Sequence, residues 1–191
     1  VEVLEVIKAR RSVRRFKNDP VSEENLVKLL EAARWAPSWA NTQCWRFVII
    51  KNQKVKEQLL EAFSPKNPAY NALKEAPVVI AACAQSGLSG FYKGMPSTPR
   101  GELLLFDAAL AAQNLVLAAQ ALGLSTVMAG AFDNQAAAQA LRLPPAVEAV
   151  MIIPLGYAQE IPPAPWRQEL SHFCYAEEYG LPYNFLTAGE S

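Results

Sequence analysis

The sequence predicts a layered α/β domain with a mixed central sheet, and three observations carry that prediction. Short unbroken apolar runs at Phe47–Ile50, Val78–Ala84 and Val150–Ile153 have the length and composition of strands covered on both faces. Segments with helical periodicity alternate with these runs. One stretch, Glu102 to Leu122, is long, helical and apolar on nearly every side. At 191 residues the chain is most simply one domain, 1–191, large enough to bury a substantial core.

Taken in order, Val3, Leu4, Val6 and Ile7 have helical spacing, and the chain then turns extended through Arg10-Arg11-Ser12-Val13-Arg14-Arg15-Phe16. Pro20 and Ser22, followed by Glu23 and Glu24, read as a helix start with acidic residues well placed in the first turn. Leu26, Leu29, Leu30 and Ala33 give that helix its inner face, and Pro37 ends it. The segment 36–45 is a loop rich in amide, hydroxyl and aromatic side chains. After the run at 47–50, Lys54 to Phe63 is helical, with Val55, Leu59, Leu60 and Phe63 inward. A Pro/Asn-rich connection, Ser64 to Asn71, leads toward Pro77 and the second strand. From Gln85 to Gly101 there are four glycines and two prolines with little periodicity. Loops of that length are uncommon in compact domains and often functional, so a mobile lid over a pocket is expected, with a plain surface excursion as the alternative.

Glu102 to Leu122 has the length of a membrane span, but Asp107, Gln113, Asn114 and Gln120 interrupt it. Burial, partly against a second subunit through its alanines, fits better, and Gly123 ends the helix. Ser125 to Ala129 reads as a strand ending at Gly130, and Asn134 to Leu141 as a helix stopped by Pro144 and Pro145. Val150–Ile153 then leads through Pro154 to Gly156. From about residue 160 the chain turns proline-rich and aromatic, with Trp166, Phe173, Tyr175, Tyr179, Tyr183 and Phe185. Such a tail cannot make its own core and is expected to wrap a surface, its own or a partner's.

Composition excludes several classes of function. Eighteen basic and eighteen acidic residues balance, which argues against a nucleic-acid binder or a protein of anionic membrane surfaces. Cys44, Cys83 and Cys174 form neither a disulfide framework nor a CxxC metal site, and His172 is the sole histidine. Glu2, Glu5, Lys8 and Arg10 interrupt the early apolar positions, unlike a secretory leader, so a cytoplasmic setting with free thiols is expected. No GxSxG, P-loop or GxGxxG is present. What remains is four arginines and a hydroxyl within six residues, 10–15. Guanidinium forks match phosphate, although by itself the stretch is equally a solvated basic turn. A phosphate handle without acid–base machinery is what a protein shows when a cofactor carries the chemistry.

Four motifs in order resemble the FMN-dependent nitroreductase family: Arg10-Arg11-Ser12-Val13-Arg14-x-Phe16; Ala36-Pro37-Ser38-x-x-Asn41-x-Gln43-x-Trp45; Leu122-Gly123-Leu124 leading to Gly130; and Ile153-Pro154-x-Gly156-Tyr157. The resemblance implies an α+β sandwich and a homodimer holding FMN at the subunit interface, with a wrapping C-terminal tail. NADH or NADPH would donate hydride, and a small electron-poor aromatic such as a nitroaromatic or quinone would accept electrons. Specialised relatives of the fold carry out dehalogenation, flavin fragmentation or dehydrogenation of natural products, and a non-catalytic flavin module is a further alternative.

Carried over by position, Arg10, Arg11 and Ser12 would meet the FMN phosphate and ribityl chain, and Arg14 the pyrimidine edge of the ring. Pro37, Ser38, Asn41 and Gln43 would line the flavin from the partner subunit, and Asn71 would reach the pyrimidine edge. Backbone N–H groups of Ala129 and Gly130 would face N5, and Arg167 would be a late phosphate ligand. Trp39, Phe91 and Tyr92 are candidates for stacking on substrate. No side chain is assigned a catalytic role and no metal is expected. Two departures stand out: Cys44 replaces a usual proline, and Ala129 stands where some members carry glutamate.

Overall fold

Strand β2 (Val78–Gln85) shows how the sandwich is built, because its alternate residues enter two separate cores. Val79, Ala81 and Cys83 belong to one apolar cluster, and Val78, Ile80 and Ala82 to the other. The computed structural model describes residues 2–184. In it β2 pairs with β1 (Trp45–Ile50) on one side and β6 (Val147–Gly156) on the other, and β5 (Ser125–Thr126) lies beyond β6. These pairings are all antiparallel, and the parallel component expected of a mixed sheet is confined to a bridge between Ser12 and Thr126. The class is therefore α+β.

One face of the sheet carries α3 (Gln53–Leu60), α4 (Tyr70–Glu75) and α6 (Asn134–Leu141), with Leu59, Leu73 and Ala137 buried beneath them. The other face carries α2 (Glu23–Arg34) and α5 (Leu104–Ala121), which bury Leu26, Leu29 and Ala33 against Ala111, Ala112, Leu115 and Val116. The Ser22 hydroxyl caps α2 by accepting from Asn25 N–H at 3.2 Å. Helix α5 is long and apolar enough to cross a membrane by length and composition, yet one side of it is the core of this fold. Leu105, Phe106 and Leu110 on its other side remain exposed, as do Val3, Leu4 and Ile7 of α1 (Val3–Ala9). Gly123 follows α5 at φ +73°, the left-handed stop anticipated for it.

Several boundaries move, each for a physical reason. The helix expected to reach Phe63 ends at Leu60, and Ala62 and Phe63 continue into the core through turn hydrogen bonds. Helix α4 was hidden because Pro65, Pro68 and two asparagines, Asn67 and Asn71, masked its short period. The strand expected over 125–129 lasts two residues, because the neighbouring β6 carries Pro154, which has no N–H to donate. Pairing resumes as a bridge between Ala129 and Ile152. Strand β6 itself runs through that proline to Gly156, where any side chain would meet Pro77 Cδ at 2.7 Å. Inside the expected lid, β3 (Phe91–Tyr92) and β4 (Met95–Pro96) make a small hairpin.

Candidate active site

After α1 the chain is drawn out along the sheet edge. Val13 N–H donates to Thr126 O at 3.0 Å and Lys17 N–H to Tyr157 O at 2.9 Å. Val13 and Phe16, 2% and 4% exposed, anchor the segment in the core. Glu75, at the end of α4, accepts from Phe16 N–H at 3.2 Å and from Arg15 Nε at 3.1 Å, which takes Arg15 out of the cluster. The other basic residues converge. Arg10, Arg11, Ser12 and Arg14 line a hollow of about 210 Å³ together with Arg167 and the tail prolines Pro162, Pro163 and Pro165.

Among the described residues none of Arg10, Arg11, Arg14 and Arg167 pairs with a carboxylate. Their protein partners are backbone carbonyls: Arg11 Nη1 reaches Lys8 O at 2.6 Å, and Arg167 Nη1 reaches Trp166 O at 3.1 Å. Burial, then the nearby charges of Arg167 and Arg11, pushes the Arg10 guanidinium below its ordinary pKa. Cations held together without a counter-charge are a site for an anion, and a phosphate would relieve the repulsion.

Arg14 also borders a second hollow of about 200 Å³, formed by Asn67, Pro68, Ala69, Val127, Met128, Ala129, Gly130 and Ala131. The two hollows thus adjoin at one arginine. Here one expectation is corrected: Ala129 lines the wall, but its N–H donates to Ile152 O at 2.9 Å and is not available to a ligand. On this wall the amides without a protein acceptor among the described residues are those of Met128, Gly130 and Ala131. Spacing alone could not show that the bridge opposite Ile152 consumes one amide and releases the next two. Asn71 sits exposed on α4 and borders neither hollow. The amide on this wall is Asn67, whose Nδ2 donates to Ala131 O at 2.8 Å. The signal available for it was its place before Pro68, where its Oδ1 accepts from Ala69 N–H at 2.8 Å and fixes the turn.

The loop from Pro37 to Cys44 contains a 3₁₀ turn at Trp39–Asn41. Ser38 Oγ accepts from Gln43 N–H at 3.0 Å, and Gln43 Nε2 donates to Asn41 Oδ1 at 3.2 Å. Asn41 and Gln43 line a third hollow, about 340 Å³, with Arg34, Trp35 and Ala36. Within one chain this loop shares no lining residue with the other two hollows. Trp39 is half-buried and its N–H donates to the Asp107 carboxylate. Cys44 is buried, and desolvation together with Asp107 pushes its thiol up to about 11, so it is no thiolate nucleophile at neutral pH. Phe91 and Tyr92 stand on the hairpin, with Lys93 Nζ 5.4 Å from the Tyr92 ring centre, and border none of the three hollows.

Comparison with known proteins bears on the family and the fold. The sequence profile described as Nitroreductase family matches residues 7–72 and 64–157. A relative in Methanothermobacter thermautotrophicus, provisionally named an NADH dehydrogenase/NAD(P)H nitroreductase, is 33% identical over 169 residues, covering 85% of this chain and 80% of that protein. The 5,6-dimethylbenzimidazole synthase of Rhodospirillum rubrum is 30% identical over 179 residues, 84% of each. Among solved structures, a nitroreductase family protein from Clostridium difficile 630 superposes with a TM-score of 0.80 at 26% identity, covering 93% of this chain and 99% of that one.

Proposed function

The chain belongs to the nitroreductase family of oxidoreductases, and on that premise we propose that it is an FMN-dependent NAD(P)H oxidoreductase acting on an electron-poor aromatic acceptor. One observation carries the reading: four guanidinium groups without carboxylate partners among the described residues, and the Ser12 hydroxyl, gather at one end of a trough whose other wall offers three unspent amides, those of Met128, Gly130 and Ala131. Those residues fit FMN. Arg10, Arg11, Ser12 and Arg167 would hold the phosphate, and Arg14, at the joint of the hollows, the pyrimidine edge. Gly130 and Ala131 would present their N–H groups to the ring, with Asn67 bracing the Ala131 carbonyl. When bound, FMN supplies hydride acceptance from NADH or NADPH and onward reduction of a nitroaromatic or quinone, in a ping-pong order.

The protein's part is orientation and charge. Guanidinium forks neutralise the phosphate, and fixed backbone dipoles need no reorganisation during reaction. Val127, Met128 and Ala129 keep the wall dry. Among the described residues no Asp, Glu, His, Lys, Tyr or Cys borders the ring-side hollow, so no side-chain acid or base is assigned there. Pro37, Ser38, Asn41 and Gln43 would complete the site from a second protomer. The exposed apolar faces of α1 and α5 and the exposed tail residues Ile161, Trp166 and Phe173 support that homodimer, because patches of this extent usually meet a partner. The segment from about 160 onward would be the wrapping tail of a one-domain subunit; Phe185 lies outside the described residues. Three free cysteines suit a cytoplasmic setting.

The similarity to a 5,6-dimethylbenzimidazole synthase favours a second reading, a specialised member of the same fold. The test is the purified protein incubated with FMN. A yellow dimer that oxidises NADH or NADPH, faster with a nitroaromatic present, is expected. A yellow dimer that oxidises neither points to the specialised reading, and a colourless monomer sinks both.

A further inference from the structure

The loop that carries Asn41 and Gln43 is one the backbone does not favour. Ala40, Asn41 and Gln43 lie in the left-handed region, at φ 47°, 55° and 47°. Asparagine tolerates that region, whereas alanine and glutamine crowd their own Cβ. Thr42 adds a buried hydroxyl with no hydrogen-bond partner among the described residues. Strain of this kind persists only where the surroundings over-determine it. Some restraints are local: Asn41 N–H donates to Ser38 O at 3.1 Å and Thr42 N–H to Trp39 O at 3.0 Å, Gln43 N–H to Ser38 Oγ, Gln43 Nε2 to Asn41 Oδ1, and Arg46 Nη1 to Gln43 O at 3.1 Å.

A further restraint comes from across the fold. Asp107, in the first turn of α5, is 3% exposed and makes no ion pair among the described residues. Its carboxylate accepts from Trp39 N–H at 3.1 and 3.3 Å and from the Cys44 thiol at 3.7 Å. Its surroundings are apolar, with Cys44, Ala84, Leu104 and Ala108 in one small cluster. A carboxylate is costly there unless its hydrogen bonds are needed. Both of its partners belong to one loop, one at each end of the strained stretch. Where a proline would fix the backbone at position 44, cysteine supplies a donor to Asp107.

We infer that Asp107 is a positioning residue: it ties Trp39 and Cys44 to the rigid α5 helix and so holds Asn41 and Gln43 in the geometry that meets FMN across the dimer. This rests on the flavin reading above. The test uses the full-length protein reconstituted with FMN, with FMN Kd from fluorescence titration and hydrogen exchange of backbone amides in the protein without FMN. Asp107→Ala raises the FMN Kd about tenfold or more and speeds exchange across 39–43 while β2 stays protected. Asp107→Asn recovers most of the affinity, since an amide oxygen still accepts from Trp39 N–H. Cys44→Pro placed on Asp107→Ala recovers part of it by restoring stiffness, which a merely structural role for Asp107 would not produce. A folded Asp107→Ala protein with wild-type Kd and wild-type exchange overturns the inference. If that variant does not fold, Cys44→Ala removes one tie and is expected to raise Kd about threefold with faster exchange at 39–43; no change there overturns it equally. Wild-type protein that takes up no FMN overturns the flavin reading and this inference with it, whereas normal uptake with indistinguishable variants overturns this inference alone.

Discussion

Between Arg10 and Lys17 the backbone is extended and relaxed, laced to Thr126 by Val13 and to Tyr157 by Lys17 and anchored by Val13 and Phe16; its cost lies in the side chains, where cations crowd together. Between Ser38 and Cys44 the cost lies in the backbone. Three residues there turn left-handed, and side chains from Ser38, Arg46 and Asp107 hold them. The first region stores electrostatic repulsion for an anion to relieve. The second stores conformational strain so that two amide side chains stand fixed. Both are departures from the local optimum that a site preorganised for a ligand is expected to show.

The largest test of this contrast is the double variant Arg10→Gln/Arg167→Gln. On the flavin reading two charge-assisted phosphate contacts would be lost, and FMN affinity is expected to fall about a hundredfold or more, read by fluorescence titration. The melting temperature of the protein without FMN holds or rises, because repulsion is relieved. A lower melting temperature with intact FMN affinity would assign the arginines to the fold and erase the contrast.

A smaller test reverses sign between the regions. Ala40→Gly, at φ 47°, is expected to stabilise by about 0.5–1 kcal/mol as the left-handed penalty outweighs glycine's extra unfolded-state freedom. Ser12→Gly, in relaxed extended backbone, is expected to destabilise by about the same amount. Thermal or urea melts of the protein without FMN decide it, and equal signs would mean that the loop is not strained.

A last effect is invisible at neutral pH. The Cys44 thiol lies at about 11 in the folded protein against an ordinary value of 9.0, so folding favours its protonated form. That contribution is full below about pH 9 and lost as pH rises to about 11. Cys83, raised to about 11 by burial, adds the same sign. Urea melts across pH 8–11 should show stability falling in that window, and Cys44→Ala should flatten the fall. A slope unaffected by that substitution would detach Cys44 from the carboxylate beneath the loop.

Much of this was legible in the chain because the signals are local. Ser22 with its two glutamates marked a helix start, and unbroken Val/Ile/Ala runs marked doubly covered strands. An arginine-rich turn needs no neighbours to be recognised. Other features were illegible for reasons equally physical. Asn67 could not be told from Asn71 without knowing where the Asn67–Pro68 turn points. Ala129 could not be rejected as an amide donor without Ile152 opposite it. Asp107 read only as a polar break in an apolar helix, since its partners lie at Trp39 and Cys44, far back in the chain.

The sequence by itself determined the layered class, the basic turn and the chemistry that turn invites, because periodicity, charge and turn residues act over a few positions. Only the tertiary structure decided that the Ala129 amide is spent on Ile152 while those of Gly130 and Ala131 are not, and that a buried carboxylate on α5 accepts hydrogen bonds from both ends of the loop at 39–44. Those outcomes depend on which backbone donors the sheet has already consumed and which distant side chains packing brings within hydrogen-bond reach, and neither is written in any one stretch of residues.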